Sequence, residues 1–248
     1  MKGVSERLGA YMRHLGWRRG LGLAVHRWLG KRLNPYVDLV WGSLGEDALL
    51  WFYLTEVLSI RKPGFYVDVG CNHPIYHSNT WRLYQLGWRG IAIDANQEMT
   101  DLYKKIRPRD QVVANLVSDE ARELDFIMFE GSLLSTVERE HAAAWKESVR
   151  INEVRKLVPK TLTAILDEHR CPKEFELLKV DVEGHDAAVV RSIDLDKYRP
   201  IIILIEMDHQ AMESIMHNEI YQKLSAHGYR MVSLAGYNGL FIKRQAPA

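Results

Sequence analysis

From residue 65 onward the chain alternates two textures. "GFYVDVG", "GIAIDA", "FELLKVDVEG" and "RPIIILIEM" are short, nearly continuous apolar runs. Strands covered on both faces read this way, which points to parallel βαβ units. Between them lie segments with helical periodicity. "SNTWRLYQLGW" predicts a helix entered through Ser78 or Asn79 and closed near Gly87, and "QEMTDLYKKIR" one stopped at Pro108. "TLTAILDEHR" and "NEIYQKLSAHG" predict two more, the second ending at Gly228. "DQVVANLVS" and "LDFIMFE" are further strand candidates, and "STVEREHAAAWKESVR" has the composition of an exposed helix that could cover a substrate. "YRMVSL" and "GLFIKR" flank a turn containing Gly and Asn, a hairpin that would add an antiparallel edge. The expected fold is a doubly wound, Rossmann-like α/β sandwich.

Charge divides the chain in two. Residues 1–33 carry eight Lys and Arg against Glu6 alone; the other 25 basic and 31 acidic residues leave the remainder at −6. A basic helical arm over 1–40 is therefore expected before a mildly acidic domain over 41–248. In "WRRGLGLAVHRWLGKRL" apolar residues near helical spacing alternate with cations, as in a helix packed on the domain or lying on an anionic membrane surface. No apolar run reaches the ~18 residues of a membrane span, and no secretory signal is present. The two cysteines, Cys71 and Cys171, form no CxxC, so neither a disulfide framework nor a zinc knuckle is indicated. A cytoplasmic protein, peripheral at most to the inner face of a membrane, is expected, with no nucleic-acid partner.

Ligands of open α/β sheets bind beyond the carboxyl ends of the strands. Those ends read Asp68-Val69-Gly70-Cys71-Asn72, Asp94-Ala95-Asn96, Asn115, Asp181-Val182-Glu183-Gly184-His185, and Glu206-Met207-Asp208-His209. Gly70 lets the backbone approach a ligand. Asp94 follows it by 24 residues, at the end of the next strand, where a carboxylate takes the hydroxyls of an adenosine ribose. The two later glycines of a dinucleotide turn are replaced by Asn72 and Ile75, and Pro74 stiffens the loop. An adenosine ligand without phosphates fits better, and S-adenosylmethionine is one.

"GSLGEDALL", "GFYVDVGCNHPIYHSNTWRLYQLGWRGIAIDAN" and "LLKVDVEGHDAAVVRSID" together resemble the FkbM family of S-adenosylmethionine-dependent methyltransferases, over roughly residues 42–245. The resemblance implies a seven-stranded methyltransferase sandwich with an antiparallel last strand. It implies O-methylation, often of a sugar in a polysaccharide or of a natural product. Cys71 stands where the family commonly shows Ala, a small-for-small change. The resemblance also implies roles. Asp68, Gly70 and Asn72 would line the methionine side of the cofactor, and Asp94 would take the ribose. Asn79 and Thr80 would open the first helix beside it. Glu46 and Asp47 would reach its ammonium, and Ser118 and Asp119 the adenine edge. Asp181, Glu183 and His185 would face the methyl group and the acceptor.

Methyl transfer requires alignment and removal of the acceptor's proton. His185 is the first candidate base, since an imidazole titrates near neutrality, and Asp181 the second. A third scheme holds magnesium or manganese between Asp181 and Glu206 to acidify a bound hydroxyl. Pro74 prevents a helix through His73 and His77, so they are not paired ligands on one helical face. Two rival functions stand beside the methyltransferase: a nicotinamide-dependent dehydrogenase, and a non-catalytic subunit docked at a membrane through its arm.

Overall fold

The computed structural model describes residues 40–130, 134–145, 149–207 and 214–244. The basic arm, with its membrane-surface reading, lies outside the described residues, as do Asp208 and His209.

The chain enters the described fold through α1 (Glu46–Phe52), which runs on as a π-helical turn over Tyr53–Val57. It then alternates: β1 (Phe65–Val69), α2 (Trp81–Gln85), β2 (Arg89–Asp94), α3 (Gln97–Ile106) and β3 (Gln111–Ala114). An excursion follows, made of β4 (Leu124–Phe129), β5 (Ser135–Thr136), α4 (Arg139–Trp145) and β6 (Ile151–Leu157). The main rhythm resumes with α5 (Leu162–Glu168), β7 (Glu174–Val180), α6 (Asp186–Ser192) and β8 (Arg199–Glu206). A 3₁₀ turn at Ile215–His217, α7 (Glu219–Ala226), β9 (Tyr229–Ala235) and β10 (Asn238–Lys243) close it.

Seven strands form one sheet in the order β3-β2-β1-β7-β8-β10-β9, and β5-β4-β6 form a small antiparallel one. The period-2 alternation of each strand splits the core between the faces of the large sheet. Val67, Val69, Leu178, Val180, Ile203 and Ile205 pack with α5, α6 and α7. Tyr66, Leu177, Ile202 and Leu204 pack with Leu50 of α1, Leu54 of the π-helical turn and Leu83 of α2. Coverage of both faces explains the continuous apolar runs in β1, β2, β7 and β8.

The expected closing hairpin and antiparallel last strand are both present at the sheet's edge: β10 runs antiparallel to β8 on one side and pairs with the outermost strand, β9, on the other. The chain leaves β8, skips a position to lay down β9, and returns to fill the gap. β10 is accordingly buried along almost its whole length, whereas β9 is mostly half-exposed. Two expectations change. First, residues 135–150 are not one helix. Ser135 and Thr136 pair with β4, α4 starts only at Arg139, and β6 follows at Ile151. Second, α2 begins at Trp81, and Thr80 precedes it without a side-chain cap, because its hydroxyl donates to Asp68 instead.

Candidate active site

A cavity of about 400 Å³ opens at the carboxyl ends of β1, β2 and β7. Its floor is the turn after β1. Gly70 adopts φ 71°, and a Cβ there would overlap the carbonyl oxygen of Asp181. The glycine is thus required by the crossing of the β1 and β7 loops, a different reason from the close ligand approach expected of it. Asn72 is also left-handed, at φ 46°. Its amide donates to Asp94 Oδ2 at 2.8 Å, while Asp94 Oδ1 accepts from the Asn96 amide at 2.8 Å. One carboxylate so ties the first loop to the start of α3, where the Asn96 side chain caps the Glu98 amide at 3.0 Å. Asp94 lines the cavity, and burial raises its carboxyl above the ordinary range despite these two bonds.

Behind this turn stands a dense polar network. Asp68 Oδ2 accepts from Thr80 Oγ1 at 2.6 Å and Tyr103 Oη at 3.4 Å. Its other oxygen has no hydrogen-bond partner and faces Lys179 Nζ across 3.5 Å. Lys179 donates to the Gly70 carbonyl at 2.9 Å and lies 3.3 Å from Asp181. Burial alone would lower the ammonium's pKa, but Asp181 and Asp68 hold it above its ordinary value. Arg107 is fully buried. It donates to Thr80 at 2.8 Å, Ser78 at 2.6 Å and the Pro74 carbonyl at 2.8 Å. Its guanidinium sits over the Tyr103, Trp81 and Tyr84 rings at 4.5, 5.3 and 5.6 Å. Sequence reasoning missed both cations. Lys179 left one signal, a charge inside an otherwise apolar strand; Arg107, at the end of a polar helix, left none.

The other expected cofactor residues divide. Asn79 lines the cavity, and its buried Oδ1 has no hydrogen-bond partner. Thr80 stands behind Asp68 and does not line the cavity. Glu46 and Asp47 do not line it either. Glu46 accepts from the Leu44 amide at 2.9 Å and Asn238 Nδ2 at 3.0 Å, and Asp47 from the Trp41 and Gly42 amides at 2.9 and 3.2 Å. They fold residues 41–44 so that Ser43 reaches the rim, bonded to His77 Nδ1 at 2.9 Å. His73 shapes the same loop: its Nδ1 accepts the amides of Ile75 and Tyr76 at 3.1 and 3.0 Å. Asp119 lies outside the lining, paired to Arg191 at 2.6 Å. Leu116 and Val117 line the wall near it, opposite Phe126 of β4.

On the β7 side, His185 is buried and both its nitrogens are occupied. Nδ1 lies 2.6 Å from Glu138 Oε1 and Nε2 2.9 Å from Ser118 Oγ. A carboxylate only accepts, so in the neutral ring Nδ1 carries the proton and Nε2 accepts from the serine hydroxyl. Ser118 in turn accepts the Glu120 amide at 3.1 Å, and it sits behind His185 rather than on the cavity wall. His185 lines the cavity as a ring tethered at both nitrogens. Asp181 reaches the cavity but is engaged by Lys179.

The metal scheme does not fit. Among the described residues no three His, Cys, Asp or Glu groups are placed to hold an ion. The Lys179 ammonium already occupies Asp181, and Glu206 lies outside the lining. Burial first, then the nearby Asp181, Asp186 and Glu183 charges, push the Glu206 carboxyl well up, which favours a protonated acid over a ligand.

Residues 68–231 match the family model of the methyltransferase FkbM domain. Comparison with curated proteins gives no match. Among solved structures, the chain is similar to an FkbM methyltransferase from Methylobacillus flagellatus KT (13% identity over 73% of this chain and 43% of that one, TM-score 0.40). It is also similar to a TehB-like SAM-dependent methyltransferase from Corynebacterium glutamicum (11%, 89% and 96%, 0.41). A third is an O-methyltransferase from Bacillus cereus in complex with SAH (13%, 88% and 87%, 0.41).

Proposed function

We propose that this chain, which belongs to the FkbM methyltransferase family and so uses S-adenosylmethionine, methylates a hydroxyl of a sugar or glycan precursor. The observation carrying the cofactor assignment is a pair of buried acceptor oxygens. Asp68 Oδ1 and Asn79 Oδ1 belong to residues lining one cavity; Asn79 Oδ1 has no hydrogen-bond donor, and Asp68 Oδ1 has only the Lys179 ammonium across 3.5 Å. Leaving such atoms unmade costs about 1–3 kcal/mol each. A ligand that brings an ammonium satisfies them, and S-adenosylmethionine does. When bound, it supplies a methyl carbon already activated by a sulfonium.

The chain's own residues then have three tasks. Asp68, Asn79 and the Gly70 turn hold the amino-acid end. Asp94, fixed by two amides, keeps lone pairs for a ribose. Val117, Leu116 and Phe126 offer an apolar wall to a purine. The open β7 side of the cavity receives the acceptor, and its carboxylates suit a polar, hydroxyl-rich one. His185 and Asp181 remain there as positioning groups.

Calorimetric titration of the full chain with S-adenosylmethionine, S-adenosylhomocysteine and NADH tests the reading. The first two should bind at one site and NADH should not. Binding of NADH alone would establish the dehydrogenase alternative, and silence from all three the non-catalytic one. Labelled methyl transfer across a panel of sugars and glycan precursors then tests the acceptor. For the arm the proposal is contact with an anionic membrane, each cation adding about 1 kcal/mol near the surface. Co-sedimentation with anionic vesicles should fall when residues 1–33 are deleted. No helix among the described residues is long and apolar enough to cross a membrane.

A further inference from the structure

The turn after β7 is held rigid around one residue. Glu183 is left-handed at φ 57°, a conformation that disfavours side chains with a Cβ. Three hydrogen bonds enforce it. Asp186 accepts the amides on either side, Val182 at 3.2 Å and Gly184 at 3.2 Å. From the excursion, Thr136 Oγ1 donates to the Glu183 carbonyl at 2.8 Å. The His141 ring also closes on Gly184, so that a Cβ there would collide with it. Backbone strain at one position, stabilised from two elements, places a side chain that relaxed geometry would not.

That side chain lines the cavity. Its carboxylate has no hydrogen bond or ion pair among the described residues, unlike Asp181, which Lys179 holds, or Asp94, which two amides hold. We propose that Glu183 is the general base: it takes the proton of the acceptor hydroxyl, whose oxygen forms the new O–CH3 bond while the departing sulfur keeps the electron pair of the old one. Atoms and charge balance, and Thr136 is the positioning residue. The inference rests on the methyltransferase reading.

The surroundings suit the task. β7 presents Lys179, the turn after it Asp181 and His185, α6 Asp186, β8 ends in Glu206, and the excursion brings Glu138 and His141. Burial and then the Asp181 charge raise the Glu183 carboxyl to about 7, against the opposing pull of Lys179. A base with that affinity is ready for a proton near neutral pH.

The test needs no acceptor. Sinefungin carries an amine where S-adenosylmethionine carries its methyl, whereas S-adenosylhomocysteine carries nothing there. If Glu183 faces that position, the wild-type chain should prefer sinefungin by about tenfold or more, as a charge-assisted contact does. The preference should grow as pH rises through about 7. Glu183→Gln should bind S-adenosylhomocysteine as the wild type does while losing both the preference and its pH dependence. A wild-type preference that is flat with pH, or one unchanged in Glu183→Gln, overturns the proposal while leaving the cofactor reading in place. If neither ligand binds the wild type, the cofactor reading itself fails, and Glu183 with it. The wild-type pH series alone decides the matter should the variant not fold.

Discussion

The loop after β1 and the loop after β7 form two walls of one cavity, yet they are built on opposite principles. In the first, nearly every charge has its counter-charge or donor: Asp68 has Thr80, Tyr103 and Lys179, Arg107 has Thr80, Ser78 and Pro74, and Asp94 has two amides. Around the second, Asp181, Glu183 and Asp186, with Glu206 at the end of β8 behind them, have one nearby cation among the described residues, Lys179, and repel one another. A preorganised wall suits a ligand that is always the same. An acid-rich wall with raised proton affinities suits chemistry that moves a proton.

The largest effect should come from the first wall. Arg107→Ala leaves Asp110 buried without its cation and frees Thr80, Ser78 and the Pro74 carbonyl. Breaking a buried ionic network from one side costs about 3–5 kcal/mol. Urea melting should show that loss, and a change under 1 kcal/mol would mean the loop does not depend on the guanidinium.

Asp94→Ala should act on both binding and folding. Charge-assisted hydrogen bonds to a ribose contribute roughly 1.5–3 kcal/mol each. S-adenosylmethionine affinity should fall at least tenfold, and the thermal midpoint should fall too, because the Asn72 and Asn96 amides lose their acceptor. Unchanged affinity would remove the ribose role and leave Asp94 as a tie between Asn72 and Asn96.

The smallest effect separates the walls by pH. Carboxyls raised on folding bind protons more tightly in the native state than in the unfolded one, where they titrate near 4. Their contribution to stability is fully present below that value and is lost as pH rises through the folded value. Burial lifts Asp110, the partner of Arg107 behind the first wall, to about 6, so its effect ends there. Burial, with the Asp181 charge, lifts Glu183 to about 7 and Asp186 to about 8. The thermal midpoint should therefore decline between pH 6.5 and 9 because of the second wall. Glu206→Gln should flatten that decline by relieving its neighbours, and a slope indifferent to this variant would detach the acids from stability.

The main sheet was legible because burial on both faces writes itself as unbroken apolar runs in β1, β2, β7 and β8. The cofactor end was legible in part for the same reason, since a strand's end is visible wherever its apolar run stops, and Asp68, Gly70, Asp94, Asp181 and Glu183 all sit there. The excursion was not. In β6 the inward positions are Ile151, Glu153, Arg155 and Leu157, while Val154 points out, so polarity does not follow the strand's period. The closing hairpin was legible as two apolar runs about a turn, but which of β9 and β10 inserts beside β8 was not, since nothing local says so.

Sequence alone determined the α/β rhythm, the glycine turn after β1, and a ring of acids at the strand ends. Tertiary structure decided which of these acids meet a cation or a donor and which do not. Lys179 reaches the carbonyl of Gly70, 109 residues away, and Ser118 reaches His185 across 67. Periodicity is a local property, set by which face of an element meets the core. Pairing between distant charges depends on how the sheet brings its loops together, and that closure is not encoded in the spacing of either partner.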